Sequence, residues 1–277
     1  MVTDRLAQAV RQQLRLGRLL PLGGPADGAW LTELAANTVL REAAAKVPGV
    51  RLGPLRIGLA DPDTAGAPAV PPPPSALPPG PLRIEAECAA TVEQPLPVAA
   101  DRLRNALSSA AVDRLGLDVE AVDLRVTEVL EALEPPAEPP SPRPQQPPQE
   151  AQQPPQEAQH PPQEAQQPPQ EAQQPPQEAQ QPRQEAQHPP ATEHSDDPAV
   201  TAAATAALSV PGVTRLAPVL AFSRAVHIED AHIRIELAVA SDHRAVDVAR
   251  AVRRAVAAAA PGPVTVAVLI TAVDSTP

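Results

Sequence analysis

The chain of 277 residues is almost without aromatic and sulfur-containing side chains. It holds one cysteine, one tryptophan, one phenylalanine and no tyrosine. A single cysteine excludes an intrachain disulfide framework and a cysteine-rich zinc site. Two aromatic residues, Trp30 and Phe222, cannot form the base-stacking platform of most single-strand nucleic-acid binders.

Long apolar runs are also missing. No apolar stretch reaches the roughly 18 residues that a membrane-spanning helix needs. Arginine and glutamine interrupt the first 20 residues too often for a secretory signal. We therefore expect a cytoplasmic protein, with any membrane contact limited to a peripheral position at the inner face of the cell membrane.

The acidic charge is concentrated in one segment. Of the 33 acidic and 22 basic residues, 11 and 2 lie within residues 134–198, so this segment carries −9 of the net charge of −11. The rest of the chain is close to neutral. The total charge therefore does not indicate a basic partner.

The same segment contains six consecutive heptads from Pro147 to His188, five of which begin PPQEAQ. Two prolines in each of these heptads and the lack of an apolar seam exclude a coiled coil. The composition predicts that residues 134–198 form a disordered, extended linker rich in proline. It could act as a spacer or as a docking strip for a proline-reading partner, or be a neutral repeat expansion.

The chain on either side of this linker reads as two diverged copies of one unit. An alanine-rich helix ends in VPGV in both, at Thr38–Val50 and Thr201–Val213. Proline cannot continue a helix, and glycine adopts a turn that is costly for other residues. The predicted structural turn residues are Pro48, Gly49, Pro211 and Gly212.

A strand follows each turn, LRIEAECA at 82–89 and IRIELAVA at 233–240. Alternation assigns one apolar face to each strand and turns the charged residues outward. The predicted core positions are Leu82, Ile84, Ala86, Cys88, Ile233, Ile235, Leu237 and Val239. The predicted outward positions are Arg83, Glu85, Arg234 and Glu236.

Each copy then continues with an amphipathic helix, at 97–115 and 245–260, and a closing strand, at 119–130 and 263–273. The second closing strand is apolar on both faces, which is typical of an interior strand. The order helix, one or two strands, strand, helix, strand predicts an α+β fold of two small modules. The predicted modules span 31–133, with a proline-rich insertion at 62–81 that is too long to be structured by itself, and 199–277.

Together these motifs resemble the alkaline-shock / envelope-stress protein family of Gram-positive bacteria. The resemblance rests on the VPGV turns, the strands that follow them, the helix starts PLPVAADRL and AVDVARAV, and the closing strands. It implies a non-enzymatic role in envelope stress tolerance with protein partners at the cytoplasmic face of the membrane. The family has no known catalytic residues, so the resemblance transfers none.

The sequence offers no catalytic constellation. The polar residues His227, His232, Asp242 and His243 match no metal-ligand spacing, and Cys88 lies on an apolar strand face. Phosphate-binding, dinucleotide-binding and hydrolase motifs are absent. We therefore predict no enzyme activity, catalytic residue, metal, cofactor or small-molecule substrate.

Two groups of arginines are candidates for a partner or anion surface. Residues 1–30 are predicted to form a basic helix and a loop, and the helix Thr3–Leu20 could lie on an anionic membrane or pack on the first module. The second group lies on the helix at 245–260 and could equally be a solvated face. The candidate residues are Arg11, Arg15, Arg18, Arg250, Arg253 and Arg254.

The leading hypothesis is a scaffold that associates with itself or with protein partners, because each module is too small for a large core of its own. The alternative is a nucleic-acid-binding or regulatory module. Near-neutral modules with few aromatics make nucleic acid the weaker of these alternatives.

Overall fold

The computed structural model describes residues 17–131, 197–219 and 223–275. In the first half the elements are β1 (Leu19–Pro21), β2 (Ala29–Thr32), α1 (Glu33–Ala44), β3 (Val50–Leu59), β4 (Leu82–Thr91), α2 (Leu96–Ser109, continued by a π-helical turn at Ala110–Leu115) and β5 (Val119–Leu130). In the second half they are α3 (Pro198–Leu208), β6 (Val213–Leu216), β7 (Val226–Glu229), β8 (His232–Ala240), α4 (Ala245–Ala259) and β9 (Thr265–Asp274).

The two halves have the same strand pairing. In the first sheet, β4 pairs antiparallel with β3 and parallel with β5. In the second sheet, β8 pairs antiparallel with β6 and β7 and parallel with β9. In each half a helix, α2 or α4, provides the crossover that two parallel strands require. The predicted α+β class is confirmed, and the predicted element order holds from α1 to β5 and from α3 to β9.

The predicted core positions on β4 and β8 are all buried. Cys88 is 2% exposed, and burial raises the pKa of its thiol above the ordinary value. Arg83 and Glu85 are exposed, as predicted, but Glu236 is only 4% exposed. The outward position predicted for Glu236 is therefore wrong, because other parts of the chain cover the second sheet on that face.

The VPGV turns have equivalent conformations. Gly49 and Gly212 have φ values of +73° and +90°, in the region that favours glycine. The Gly49 carbonyl accepts a hydrogen bond from the Thr91 N–H at 2.9 Å, and the Gly212 carbonyl accepts one from the Ala240 N–H at 2.8 Å. Each turn thus fixes the start of one strand beside the end of the next. Pro48 and Pro211 precede these glycines, where α1 and α3 have ended.

Residues 19–32 belong to the second sheet. Strand β2 pairs with β1 and runs parallel to β9, with Ala29 opposite Val268 and Leu31 opposite Ile270. The prediction of a helix and loop over residues 1–30 is therefore wrong for 19–21 and 29–30, and residues 1–16 lie outside the described residues. Strand β9 is apolar on both faces, which is typical of an interior strand, and β8 and β2 flank it on its two sides.

The proline-rich insertion at 62–81 is ordered through contacts outside itself. Val70 is buried against Trp30 and Leu269 on the outer face of the second sheet. The Trp30 Nε1–H donates to the Leu77 carbonyl at 3.4 Å. The Leu77 N–H in turn donates to the Leu19 carbonyl at 2.8 Å. The insertion therefore supplies an apolar cover that the second module lacks in its own sequence.

The described parts of the two halves share one hydrophobic core, and α1 contacts both sheets. Between the halves, Thr32 Oγ1 donates to the Thr271 carbonyl at 3.1 Å and Arg244 Nε donates to the Val112 carbonyl at 3.0 Å. The small alanine- and valine-rich faces of the two halves therefore bury each other. The linker predicted at 134–198 lies outside the described residues, except for Asp197 and for Pro198, which begins α3.

Candidate interaction surfaces

Arg18 joins the N-terminal segment to the first sheet. Its Nη2 donates to the Ile57 carbonyl at 2.5 Å and lies 3.6 Å from Glu33 Oε1. Glu33 also accepts from the backbone N–H groups of Arg18 and Ile57, at 3.2 and 3.3 Å. Arg18 is therefore engaged within the chain. The two other arginines predicted on the N-terminal helix, Arg11 and Arg15, lie outside the described residues.

The arginines on α4 fasten the loop between β1 and β2. Arg250 donates to both carboxylate oxygens of Asp27, at 2.8 and 2.9 Å. Arg253 donates to the Ala26 carbonyl, whereas Arg254 is exposed. The hydrogen bond from Arg250 lowers the pKa of Asp27, which burial opposes. Two of the three arginines predicted here as a partner surface thus bind the chain itself.

The candidate metal ligands do not converge. His243 Nδ1 lies 2.9 Å from Asp242 Oδ1, whereas His232 Nδ1 lies 2.7 Å from Thr265 Oγ1. Burial lowers the pKa of His232, and nearby Arg234 acts in the same direction. Across the described ranges, no group of three or more His, Cys, Asp or Glu side chains is placed to hold a metal ion.

A small polar cluster lies on the covered face of the second sheet. The Val219 N–H donates to Glu236 Oε2 at 2.7 Å, and Arg234 Nε and His227 Nε2 lie 3.4 and 3.8 Å from Glu236 Oε1. A buried carboxylate needs such partners, because removal from water penalises the charge. The cluster borders a cavity of about 170 Å³ whose wall also includes Leu19, Leu269 and two prolines of the insertion. Glu236 thus connects strands β7 and β8 to the segment at Val219 beside this cavity.

The two closing strands differ in what lies beside them. Ile84 and Ile235 are equivalent in the motifs LRIE and IRIE, and they pair with Val122 on β5 and Val268 on β9. Residues 268–270 of β9 also pair with β2 on the other side. Among the described residues, no strand pairs with β5 on the side away from β4. We call this side the open edge of β5.

A side chain contacts β5 where β9 has a strand. Arg104 Nε of α2 donates to the Val122 carbonyl at 3.2 Å. Arg253, the equivalent residue of α4, contacts the loop that leads into β2. Arg104 therefore contacts the closing strand β5 of its own module. Arg253 instead contacts the loop before β2, the strand that borders β9.

The opposite edge of the first sheet is protected. Strand β3 contains Pro54, and its register with β4 shifts between Leu52 and Leu55. Arg41 Nη2 donates to the Gly53 carbonyl at 2.9 Å, and Arg18 donates to the Ile57 carbonyl. Proline, bulges and side-chain caps are the devices that prevent edge pairing. Strand β5 contains no proline, and its central part has one such cap, from Arg104 to the Val122 carbonyl, with register shifts only at its two ends.

Exposed apolar side chains are concentrated in the first half of the chain. Within the part of the chain that the structure describes, seven of the eight large exposed hydrophobic residues lie there. Val126 and Val129 belong to β5 and are 37% and 52% exposed. The open edge of β5 therefore carries both unpaired backbone and accessible apolar surface.

In the described ranges, no helix has the length and apolar character needed to cross a membrane.

Sequence reasoning did not identify the open edge, although one signal was present. The strand VEAVDLRVTEVL alternates apolar and charged residues, whereas TVAVLITAVD is apolar on both faces. This contrast predicts that the second strand is interior and the first is not. It does not say which segment covers the second strand.

Comparison with known proteins leaves the family open. No protein-family model matches the chain, and no curated protein matches it. Solved structures named MamM CTD resemble part of it. A zinc form is 17% identical, with the match covering 34% of this chain and 82% of that one, and a TM-score of 0.23. A nickel form is also 17% identical, covering 34% and 95%, with a TM-score of 0.23. Scores this low carry no functional argument, so the alkaline-shock resemblance stays a prediction.

Proposed function

We propose that this protein is a non-catalytic interaction protein that associates, with itself or with another protein, through the open edge of β5. The observation that supports this most directly is the difference between the two modules. Residues 268–270 of β9 pair with β2, whereas the equivalent residues 122–124 of β5 have no neighbouring strand on the open edge among the described residues. An added strand would complete the first sheet in the way that β2 completes the second.

The energetics favour association at this edge. An unpaired strand edge presents backbone N–H and C=O groups that another strand can bind. Strand β5 is already held along its length by β4, so the added strand would not have to order it. Pairing would also remove Val126 and Val129 from water, at roughly 25 cal/mol for each Å² of apolar surface buried.

The cellular setting follows from the family resemblance. We infer a role in cell-envelope stress tolerance, on the cytoplasmic side, in which association gathers protein partners. A strain that lacks the protein should grow less well than its parent after an alkaline or cell-wall stress. Equal growth of the two strains would refute the stress role and leave the association proposal standing.

The association proposal is tested by placing positive charge on the apolar part of the edge. In Val126→Lys/Val129→Lys, lysines at the strand edge should block pairing. Sedimentation velocity over a wide concentration range should show association of the full-length wild type and its loss in this variant. Leu208→Lys is the matched control, because Leu208 is 48% exposed but lies on α3 of the second module.

Association with a different protein needs a separate measurement. For this purpose the tagged full chain and both variants are expressed in the source cells, and stable complexes are compared by mass. A wild type that is monomeric when purified, and whose complexes are unchanged in Val126→Lys/Val129→Lys, would refute the proposal.

A further inference from the structure

Strand β5 has a regular central part. Its register with β4 is continuous from Ala121 to Val126 and shifts at both ends of that run. Val122, Leu124 and Val126 share the helix-covered face of the sheet, since they lie opposite Ile84, Ala86 and Cys88. Asp123 and Arg125 lie between them on the opposite, solvent face and are exposed. This central part therefore has an apolar face and a face with one charge of each sign.

The charges distinguish between possible antiparallel registers of two β5 strands. Residues directly opposite each other share a face and interact. Centring the pair on Asp123 places two aspartates opposite each other, and centring it on Arg125 places two arginines opposite each other. Centring it on Leu124 places Asp123 opposite Arg125 of the second strand, twice. The same register places Val122 opposite Val126.

We propose that β5 pairs antiparallel with β5 of a second copy of this chain, centred on Leu124, so that two first sheets form one continuous sheet of six strands. This inference rests on the proposed function and names its partner. The strand is complementary to itself in this register, in charge on one face and in apolar surface on the other. A closed two-fold pair follows, as in most homodimers.

Neighbouring contacts are compatible with this pairing. Arg104 already donates to the Val122 carbonyl, but a carbonyl oxygen accepts two hydrogen bonds. Asp123 is bound by Arg83 at 3.0 Å and would gain a second cation. Glu128 would lie opposite Glu120, but Arg51 neutralises Glu128 at 3.0 Å and the register shift separates it from the central part.

The experiment exchanges the charges. In full-length Asp123→Arg, the introduced arginine of each copy would face Arg125 of the other copy. In Arg125→Asp, the introduced aspartate of each copy would face Asp123 of the other. Each variant alone should dissociate at least about tenfold more readily than the wild type, since two attractive pairs become repulsive. An equimolar mixture of the two variants restores opposite charges at both positions, so native mass spectrometry should show a dimer with one copy of each variant.

Two controls separate this register from general charge effects. Asp113→Arg reverses an exposed charge on the helical turn that continues α2. Arg56→Asp reverses an exposed charge on β3, the other edge strand of the same sheet. Both controls should dimerise like the wild type, and circular dichroism should show all four variants folded.

The outcomes distinguish the inference from the proposed function. The inference is supported if each variant by itself associates weakly and the mixture of the two associates like the wild type. A wild-type dimer that neither charge change weakens would refute this pairing while leaving self-association intact. A monomeric wild type refutes the second copy as the occupant. If the complexes of the monomeric wild type contain a different protein that is lost in Val126→Lys/Val129→Lys, that protein is the partner at the edge. If residues of the same chain outside the described ranges cover the edge, those residues are its partner.

Discussion

Arg250 binds Asp27 across 223 residues of sequence, through hydrogen bonds of 2.8 and 2.9 Å to the two carboxylate oxygens. Asp27 also accepts from the Gly24 N–H at 2.8 Å, which closes the loop between β1 and β2. This contact holds the N-terminal strands against a helix of the second half, where β2 borders β9. The two halves are thus joined by this polar contact as well as by their shared apolar core.

Replacing Asp27 by asparagine should lower the free energy of unfolding by about 1 kcal/mol at neutral pH, since a partly exposed charged pair is lost. The pKa of Asp27 is lowered from 3.8, chiefly by the hydrogen bond from Arg250. Above pH 3.8 the ionised carboxylate therefore contributes its full stabilisation of the fold. This contribution disappears as the pH falls through the lowered pKa.

Urea unfolding of the wild type and Asp27→Asn, from neutral pH to about pH 2, measures this difference. The two curves should converge as the pH falls below the ordinary aspartate value. Asp101→Asn serves as the control, because the Asp101 side chain is 70% exposed and pairs with Arg104 of the same helix. A constant difference between wild type and Asp27→Asn at every pH would contradict the assignment.

Replacing Gly116 by alanine should disrupt the contact between the two halves. Gly116 has a φ of +80°, and a Cβ there would lie 2.2 Å from Val246 Cγ1 and 2.6 Å from Val246 Cβ. Backbone strain and overpacking together should cost about 2–4 kcal/mol of unfolding free energy. Urea titration provides the measurement. Gly262→Ala is the control, since no heavy atom lies within 4 Å of its Cβ position, and equal stability of the two variants would refute this role.

The thiol of Cys88 should react slowly with a disulfide reagent in the native protein. Cys88 is the one cysteine of the chain. Burial both hides its sulfur and raises its pKa, so little thiolate is available. Labelling should accelerate strongly in urea. Cys88→Ala/Val129→Cys provides an exposed thiol on β5 for comparison, and native Cys88 that reacts as fast as this thiol would show that the first sheet is open.

Replacing Val70 by aspartate should detach the insertion from the second sheet. Val70 is 4% exposed against Trp30, so an unpaired carboxylate there would be strongly unfavourable. Trp30 is the one tryptophan, and its fluorescence emission should move to longer wavelength. Val92→Asp, at a side chain that is 63% exposed, should leave the emission unchanged. An unshifted spectrum in Val70→Asp would mean that the insertion does not cover Trp30.

Local patterns predicted the repeated part of the fold. The alternation of LRIE and IRIE assigned Ile84 and Ile235 to the core, and Gly49 and Gly212 marked equivalent turns, because side-chain periodicity and positive φ are local properties. Residues 19–21 and 29–30 were assigned incorrectly, as parts of a helix and a loop. Strand β2 pairs with β9, which is more than 230 residues away in the sequence, so no local pattern in its own segment reveals it.

The candidate surface divides in the same way. The sequence showed alternating charge on β5 and therefore a solvent-facing side, but not that its edge is open. Arg18 and Arg250 looked like surface charges until the structure placed Glu33 and Asp27 beside them. Partners far apart in sequence are decided by packing, which a residue list does not contain.

By itself, the sequence determined the element order of the two repeated parts, their turns and the buried faces of β4 and β8, since these depend on the spacing of neighbouring residues. Only the tertiary structure decided that both halves share a core, that the insertion covers Trp30, and that β9 has a partner where β5 has none among the described residues. Those features depend on which distant surfaces bury each other, because hydrophobic burial is non-directional and acts between whole faces.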